Sequence, residues 1–148
     1  MIKSELDKFL VTISSILLYF IPVLLLTGPF LPDLFLSCTV LIFIYLLFKN
    51  KLWIYLNNNF FYFFFIFNLV LILSSLVSEN VLFSIKSSLV YFRFVFFALA
   101  IWFVINNNNK FIKNFFIALC CAYSLALFDG YYQILFGENI FGIIAADS

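Results

Sequence analysis

This chain of 148 residues has few charged residues and lacks histidine. Only 10% of its residues are charged and none is histidine, whereas soluble domains carry roughly 25% charged residues. So few charges cannot build a water-exposed protein surface. No arrangement of the remaining polar residues supplies a nucleophile with its base, a metal cluster or a glycine-rich phosphate loop. The sequence therefore predicts no catalytic residue, no metal site and no cofactor.

Cysteine is also scarce, and its three positions exclude two further classes of protein. The count is odd and no two cysteines have C-x-x-C spacing, so neither a disulfide framework nor a zinc site is predicted. Cys38, Cys120 and Cys121 all fall in apolar runs. We expect them to be buried there and to act as small apolar side chains.

Apolar residues make up 66% of the chain and are arranged in continuous runs of ~15–19 residues. A membrane β-barrel would instead alternate apolar and polar residues along each strand. The runs therefore predict an all-α, polytopic integral membrane protein, in which helices satisfy the backbone hydrogen bonds within lipid. Five transmembrane spans are predicted, over residues 9–27, 32–48, 60–77, 89–105 and 111–128, forming one region across 1–148.

The distribution of charge among the polar gaps predicts the orientation of these spans. Cations fall in every second gap, at Lys3, Lys8, Lys49, Lys51, Lys110 and Lys113. Five of the acids fall in the other gaps, at Asp33, Glu79, Asp129, Glu138 and Asp147. Since cationic loops stay in the cytoplasm, the N-terminus is predicted to be cytoplasmic and the C-terminus periplasmic. A net charge of +1, with cations confined to short loops, predicts no nucleic-acid surface.

Residues 78–88 form an amphipathic segment before the fourth span. Leu82, Ile85, Leu89 and Phe92 recur at helical spacing, which predicts a short separate helix in the outer interface. In the third span, Asn68 is the strongly polar residue, and we expect it to hydrogen-bond a neighbouring helix rather than a substrate.

Arg93, the chain's one arginine, lies about one turn into the fourth span from the outer side. A charge at that depth has two interpretations. Its side chain extends to the outer headgroups, or it binds an anion together with Lys86, which lies two helical turns earlier on a similar face. In the second case the two cations hold the diphosphate of a lipid-linked substrate on the outer leaflet.

Asp129 and Gln133 lie four residues apart just after the fifth span. If the helix continues outward, the two side chains share one helix face. They are either an interfacial polar patch at a helix end or hydrogen-bonding groups for a hydroxyl-rich ligand. Glu138 and Asp147 are weaker candidates for acid–base work, because no partner for them is evident.

Two stretches of the chain resemble the N-terminal part of bacterial O-antigen ligase-like and O-antigen polymerase-like membrane proteins. One is residues 84–94, SIKSSLVYFRF, which enters a helix from the outer side. The other is residues 129–142, DGYYQILFGENIFG, which fits the pattern D-G-x-x-Q-x-x-x-G-x-N-x-x-G after a span. The predicted helix number and cytoplasmic N-terminus agree with that family.

The resemblance implies an inner-membrane, multi-pass protein of lipopolysaccharide biosynthesis. Members of the family transfer or polymerise glycans carried on undecaprenyl diphosphate at the periplasmic face, without a metal or nucleotide. The expected partners are therefore membrane lipid and an undecaprenyl diphosphate-linked glycan. Lys86, Arg93, Asp129 and Gln133 are the candidate residues for binding the diphosphate or the glycan.

The family's essential arginines and histidine lie in a C-terminal half that this sequence does not match. We therefore expect the chain to correspond to the N-terminal membrane portion of such a ligase or polymerase and to be inactive alone. Two alternatives stay open at this point. The chain is a small non-catalytic membrane component that binds or transports, or it is a non-functional gene remnant.

Overall fold

The protein is a bundle of five α-helices in a computed structural model that describes residues 4–78 and 80–136. The described residues form helices and turns, without strands, which confirms the all-α prediction for this part of the chain. The elements are α1 (Glu5–Leu24), α2 (Phe30–Asn50), a 3-10 turn (Trp53–Tyr55), α3 (Asn59–Ser75), α4 (Val81–Asn107) and α5 (Phe111–Phe136).

Polar residues in the connections define where several helices begin and end. The Ser4 hydroxyl accepts a hydrogen bond from the backbone N–H of Asp7 at 3.2 Å, which caps α1. The Asn58 side chain accepts one from the N–H of Phe61 at 2.8 Å and caps α3 in the same way. Helix α2 ends where Lys51 adopts a left-handed conformation, and its N–H bonds to the carbonyl of Leu47. The asparagine-rich connection at residues 57–59 thus provides the start of α3.

Four of the five helices are long and apolar enough to cross a membrane: α1, α2, α4 and α5. Helix α3 is apolar but has 17 residues and spans about 25 Å, against a hydrocarbon thickness of roughly 30 Å. The structure therefore supports a multi-pass membrane protein by the length and composition of its helices. The third of the five predicted spans, over residues 60–77, stays a prediction.

Helix α4 differs from the sequence prediction of a separate interfacial helix over 78–88. Residues 81 to 107 form one continuous helix of 27 residues, about 40 Å long. The physical reason is that no glycine or proline interrupts this stretch, so nothing breaks the backbone ladder. Helix α5 likewise continues to Phe136, well beyond the predicted end of the fifth span at residue 128.

Helices α1, α2 and α4 form the centre of the bundle, with α3 and α5 at its edges. Helix α3 packs mainly on α4, and α5 packs mainly on α1. The hydrophobic core lies toward the end of the bundle that holds the connections at 51–58 and 108–110, which we call the inner end. There Phe43, Leu46, Leu99 and Phe103 are almost fully buried.

The edge helices expose large apolar side chains around the outside of the bundle. Phe63 on α3 is 68% exposed and Phe128 on α5 is 71% exposed. Soluble monomers rarely expose apolar patches beyond a few hundred Å², whereas lipid accommodates them. Cys120 and Cys121 are exposed on α5, so the expectation that they are buried is wrong. The reason is that α5 contacts little of the bundle except α1.

An ionic contact joins α1 to α2 at the inner end. The carboxylate of Asp7 accepts hydrogen bonds from the Lys49 ammonium at 2.7 Å and from the Asn50 amide at 3.2 Å. A second polar contact, from the Asn108 amide to the Ser15 hydroxyl at 3.0 Å, joins the α4–α5 connection to α1. These contacts close the inner end, while the candidate site lies toward the other end.

Candidate anion-binding groove at the outer end

The candidate site depends on how α2 and α4 pack. The two helices run in the same direction, and Arg93 meets Asp33 across a separation of 60 residues. The same separation relates Phe43 to Phe103, whose rings lie 5.7 Å apart deeper in the bundle. This parallel register places Arg93 beside the first turn of α2, at the end of the bundle opposite the inner end. We call this the outer end.

The guanidinium of Arg93 forms a two-point ion pair with the carboxylate of Asp33. Nη1 donates to Oδ2 at 2.9 Å and Nη2 donates to Oδ1, while Nη1 also lies 3.4 Å from the hydroxyl of Ser37. The Arg93 and Asp33 side chains are 32% and 45% exposed. Two parallel N–H···O bonds are the strongest arrangement of this pair. The sequence predicted headgroup contact or anion binding for Arg93 and did not indicate Asp33 as its partner.

Arg93 and Lys86 line one open groove on the outer part of α4, as their spacing predicted. The groove has a volume of about 460 Å³. Its described lining residues are Phe83, Lys86, Ser87, Val90, Tyr91, Arg93 and Phe94. The guanidinium carbon of Arg93 lies 5.2 Å from the centre of the Phe94 ring, within the range of a cation–π contact.

This groove combines cations with an apolar, aromatic wall. The Lys86 side chain is exposed, and its ammonium is a mobile point charge with three donors. Ser87 beside it adds a hydroxyl. Such a combination can hold the phosphate of an amphiphile in an interface, with its chain against Tyr91 and Phe94. The cations and the hydroxyl among its described lining residues are groups suited to binding an anion.

Asp129 and Gln133 lie elsewhere in the bundle. Both are on α5, half-buried and on one helix face, as expected if the helix continues outward. The described residues that line the Lys86–Arg93 groove all come from α4, so the structure does not bring the two predicted pairs together there. Residues 137–142 of the second family-like stretch, and Glu138 and Asp147 with them, lie outside the described residues.

Asn68 is buried, but it does not make the expected hydrogen bond to a neighbouring helix. Its amide nitrogen donates to the carbonyl of Phe64 in its own helix at 2.9 Å, and within the described residues its Oδ1 accepts no bond. Serine side chains join α3 to α4 instead. The hydroxyls of Ser75 and Ser88 lie 2.5 Å apart, near the outer end. Serine can make this contact between helices because its short side chain lets the two helices approach closely.

Metal binding finds no support in residues 4–78 and 80–136, where no three histidine, cysteine, aspartate or glutamate side chains cluster. Comparisons of the chain with protein-family models, with curated proteins and with solved structures give no match.

Proposed function

We propose that the chain is a five-span membrane protein whose outer groove binds the phosphate groups of a lipid-linked glycan. The observation that carries the proposal is the pairing of Lys86 and Arg93 on one aromatic-walled groove of α4. In this proposal the chain is the N-terminal membrane portion of an O-antigen ligase-like protein of the bacterial inner membrane. Its ligand is then glycan carried on undecaprenyl diphosphate.

The position of the groove supports this choice of ligand. Arg93 lies beside the first turn of α2, and α4 continues outward for about 18 Å before it. The cations therefore lie where the predicted orientation places the outer headgroups. The rings of Phe83, Tyr91 and Phe94 offer an apolar surface for an isoprenoid chain, and the cations match the charge of its diphosphate.

The groove binds in this proposal and does not catalyse. Transfer of a glycan needs an activated acceptor, and no described residue near Lys86 is placed as a base for one. The family resemblance assigns catalysis to a C-terminal half with its own arginines and histidine. The chain's role in the complete reaction is thus to hold and orient the lipid diphosphate.

A small non-catalytic membrane component is the second candidate function. The observation that favours it is the exposure of α5, because only 11% of its most apolar 18-residue stretch is buried within the bundle. Helices exposed to this extent face lipid or pack against another membrane protein. Under this reading the chain binds a partner in the membrane, and the Lys86–Arg93 groove contacts ordinary phospholipid headgroups.

Reporter fusions test the proposed orientation. A periplasm-active reporter fused after Asn80 or after Ser148 is expected to be active, and one fused after Asn107 is expected to be inactive. The reason is that lysines flank the second and fourth connections, between α2 and α3 and between α4 and α5, and keep them in the cytoplasm. A cytoplasm-active reporter should give the opposite pattern at each position. A cytoplasmic Ser148 would overturn the five-span topology.

The variant Lys86→Gln tests lipid recognition. In nanodiscs, it is expected to bind undecaprenyl diphosphate about tenfold more weakly than the wild type, since a charged hydrogen bond to phosphate is lost. Lys113→Gln is the matched control, because it removes an exposed lysine from the start of α5, near the inner end. Equal affinity in all three proteins would show that the groove is not the diphosphate site.

A further inference from the structure

Arg93 lines the groove with both terminal nitrogens bonded to neighbouring residues, while its buried Nε–H has no partner among the described residues. Both donate to the carboxylate of Asp33, and Nη1 also lies 3.4 Å from Ser37. A phosphate that forms the same two-point contact with Nη1 and Nη2 must therefore replace the Asp33 carboxylate. Lys86 and Arg93 line the groove and the Asp33 carboxylate is bound to Arg93, so the charge of the three together is about +1 rather than +2.

We propose that Asp33 is a specificity-determining residue of the groove, which competes with the ligand's phosphates for Arg93. This inference rests on the proposed function. Lys86 makes the first contact with an anion, because its exposed ammonium can reach a phosphate without breaking the ion pair. Arg93 joins only when a second phosphate replaces the Asp33 carboxylate. The groove thereby favours a diphosphate over a monophosphate of the same lipid.

Two features of the structure make this exchange feasible. Both side chains of the pair are partly exposed, at 32% and 45%, so the groups that leave it can be solvated. Asp33 also lies in the first turn of α2, where the free backbone N–H groups and the helix dipole stabilise a carboxylate without Arg93. The departing carboxylate thus remains in a favourable place, and the planar fork of Arg93 is available to phosphate.

The variant Asp33→Asn tests the proposal in the full chain in nanodiscs. Its affinity for undecaprenyl diphosphate is expected to rise about fivefold, the scale of a partly exposed ion pair. Its affinity for undecaprenyl phosphate should change less, since a single phosphate is met by Lys86. Glu5→Gln is the matched control, because it removes an exposed carboxylate near the inner end and should leave both affinities unchanged.

The outcomes separate this inference from the proposed function. Suppose that Asp33→Asn binds the diphosphate no better than the wild type, while Lys86→Gln binds it more weakly. That result would overturn the role of Asp33 and leave the proposed function standing. If neither the wild type nor any variant binds either lipid, the proposed function fails and this inference fails with it. Asp33→Ser gives a second neutral side chain that suits the first turn of a helix, so a folding defect of the asparagine variant leaves the test intact.

Discussion

Arg93→Asp is expected to abolish most of the folded protein, and the double variant Asp33→Arg with Arg93→Asp is expected to restore it. The single change places two carboxylates where a two-point ion pair joined α2 to α4. Two like charges about 4 Å apart repel by about 4 kcal/mol at an effective dielectric constant of 20, and by less here because both side chains are partly exposed. The exchange of both residues returns opposite charges to the same positions and restores attraction.

The measurement for the charge exchange is the yield of monodisperse protein and its melting temperature in one detergent. We expect both to fall sharply in each charge-reversed single variant and to recover to near the wild-type values in the double variant. The double variant places its guanidinium on α2, so its lipid binding need not recover. A double variant no more stable than Arg93→Asp would show that the contact between Asp33 and Arg93 is not formed in the membrane.

Phe43→Ala carries the second large expected effect, on stability rather than on charge. Phe43 is 2% exposed at the inner end, and its ring lies 5.7 Å from that of Phe103 and 6.2 Å from that of Tyr55. Removal of a buried phenylalanine leaves a cavity and typically costs about 3–5 kcal/mol in soluble proteins. In a membrane the water-transfer part is smaller, so we expect a loss of about 2 kcal/mol.

Phe63→Ala is the matched control for Phe43→Ala. Phe63 is 68% exposed on α3 and faces outward, so its truncation removes an apolar side chain without opening a cavity in the core. Thermal unfolding in detergent should therefore separate the two variants clearly. Equal melting temperatures for Phe43→Ala and Phe63→Ala would contradict the placement of the core at the inner end.

The sequence predicts the helices well because their apolar runs are long and their connections polar. The second span was predicted to begin at residue 32, and α2 begins close to it, at Phe30, with Asp33 in its first turn. The full extent of α4 was not predicted, since an amphipathic pattern at 82–92 indicates a separate interfacial helix equally well. Only the absence of a helix-breaking residue between 81 and 107 favours the continuous helix that the structure shows.

The candidate site was predicted in part. The seven-residue spacing of Lys86 and Arg93 is a local property of one helix, and the structure places both on one groove. The ion pair of Arg93 with Asp33 depends on the packing of two parallel helices that are separated in the chain by α3. The sequence of a single helix does not show which other helix it will contact. The same limit explains why Asn68 was assigned a neighbouring helix as its partner.

The stability and the proposed function of the bundle reside at opposite ends. The inner end contains the tight aromatic core around Phe43 and Phe103 and the Asp7–Lys49 ion pair. The outer end contains the open groove and an ion pair that is partly exposed. A rigid base with a more open outer surface suits a protein that must admit a lipid headgroup from the membrane, because the exchange at Arg93 then leaves the core intact.

The most direct test of the account is the reactivity of a thiol introduced by Ser87→Cys. The background would carry alanine at Cys38, Cys120 and Cys121, so that the introduced thiol is the one that reacts. We predict that a membrane-impermeant maleimide added from the periplasmic side labels it, and that undecaprenyl diphosphate slows the labelling while undecaprenyl phosphate slows it less. Labelling only from the cytoplasmic side, or labelling that undecaprenyl diphosphate leaves unchanged, would contradict the account.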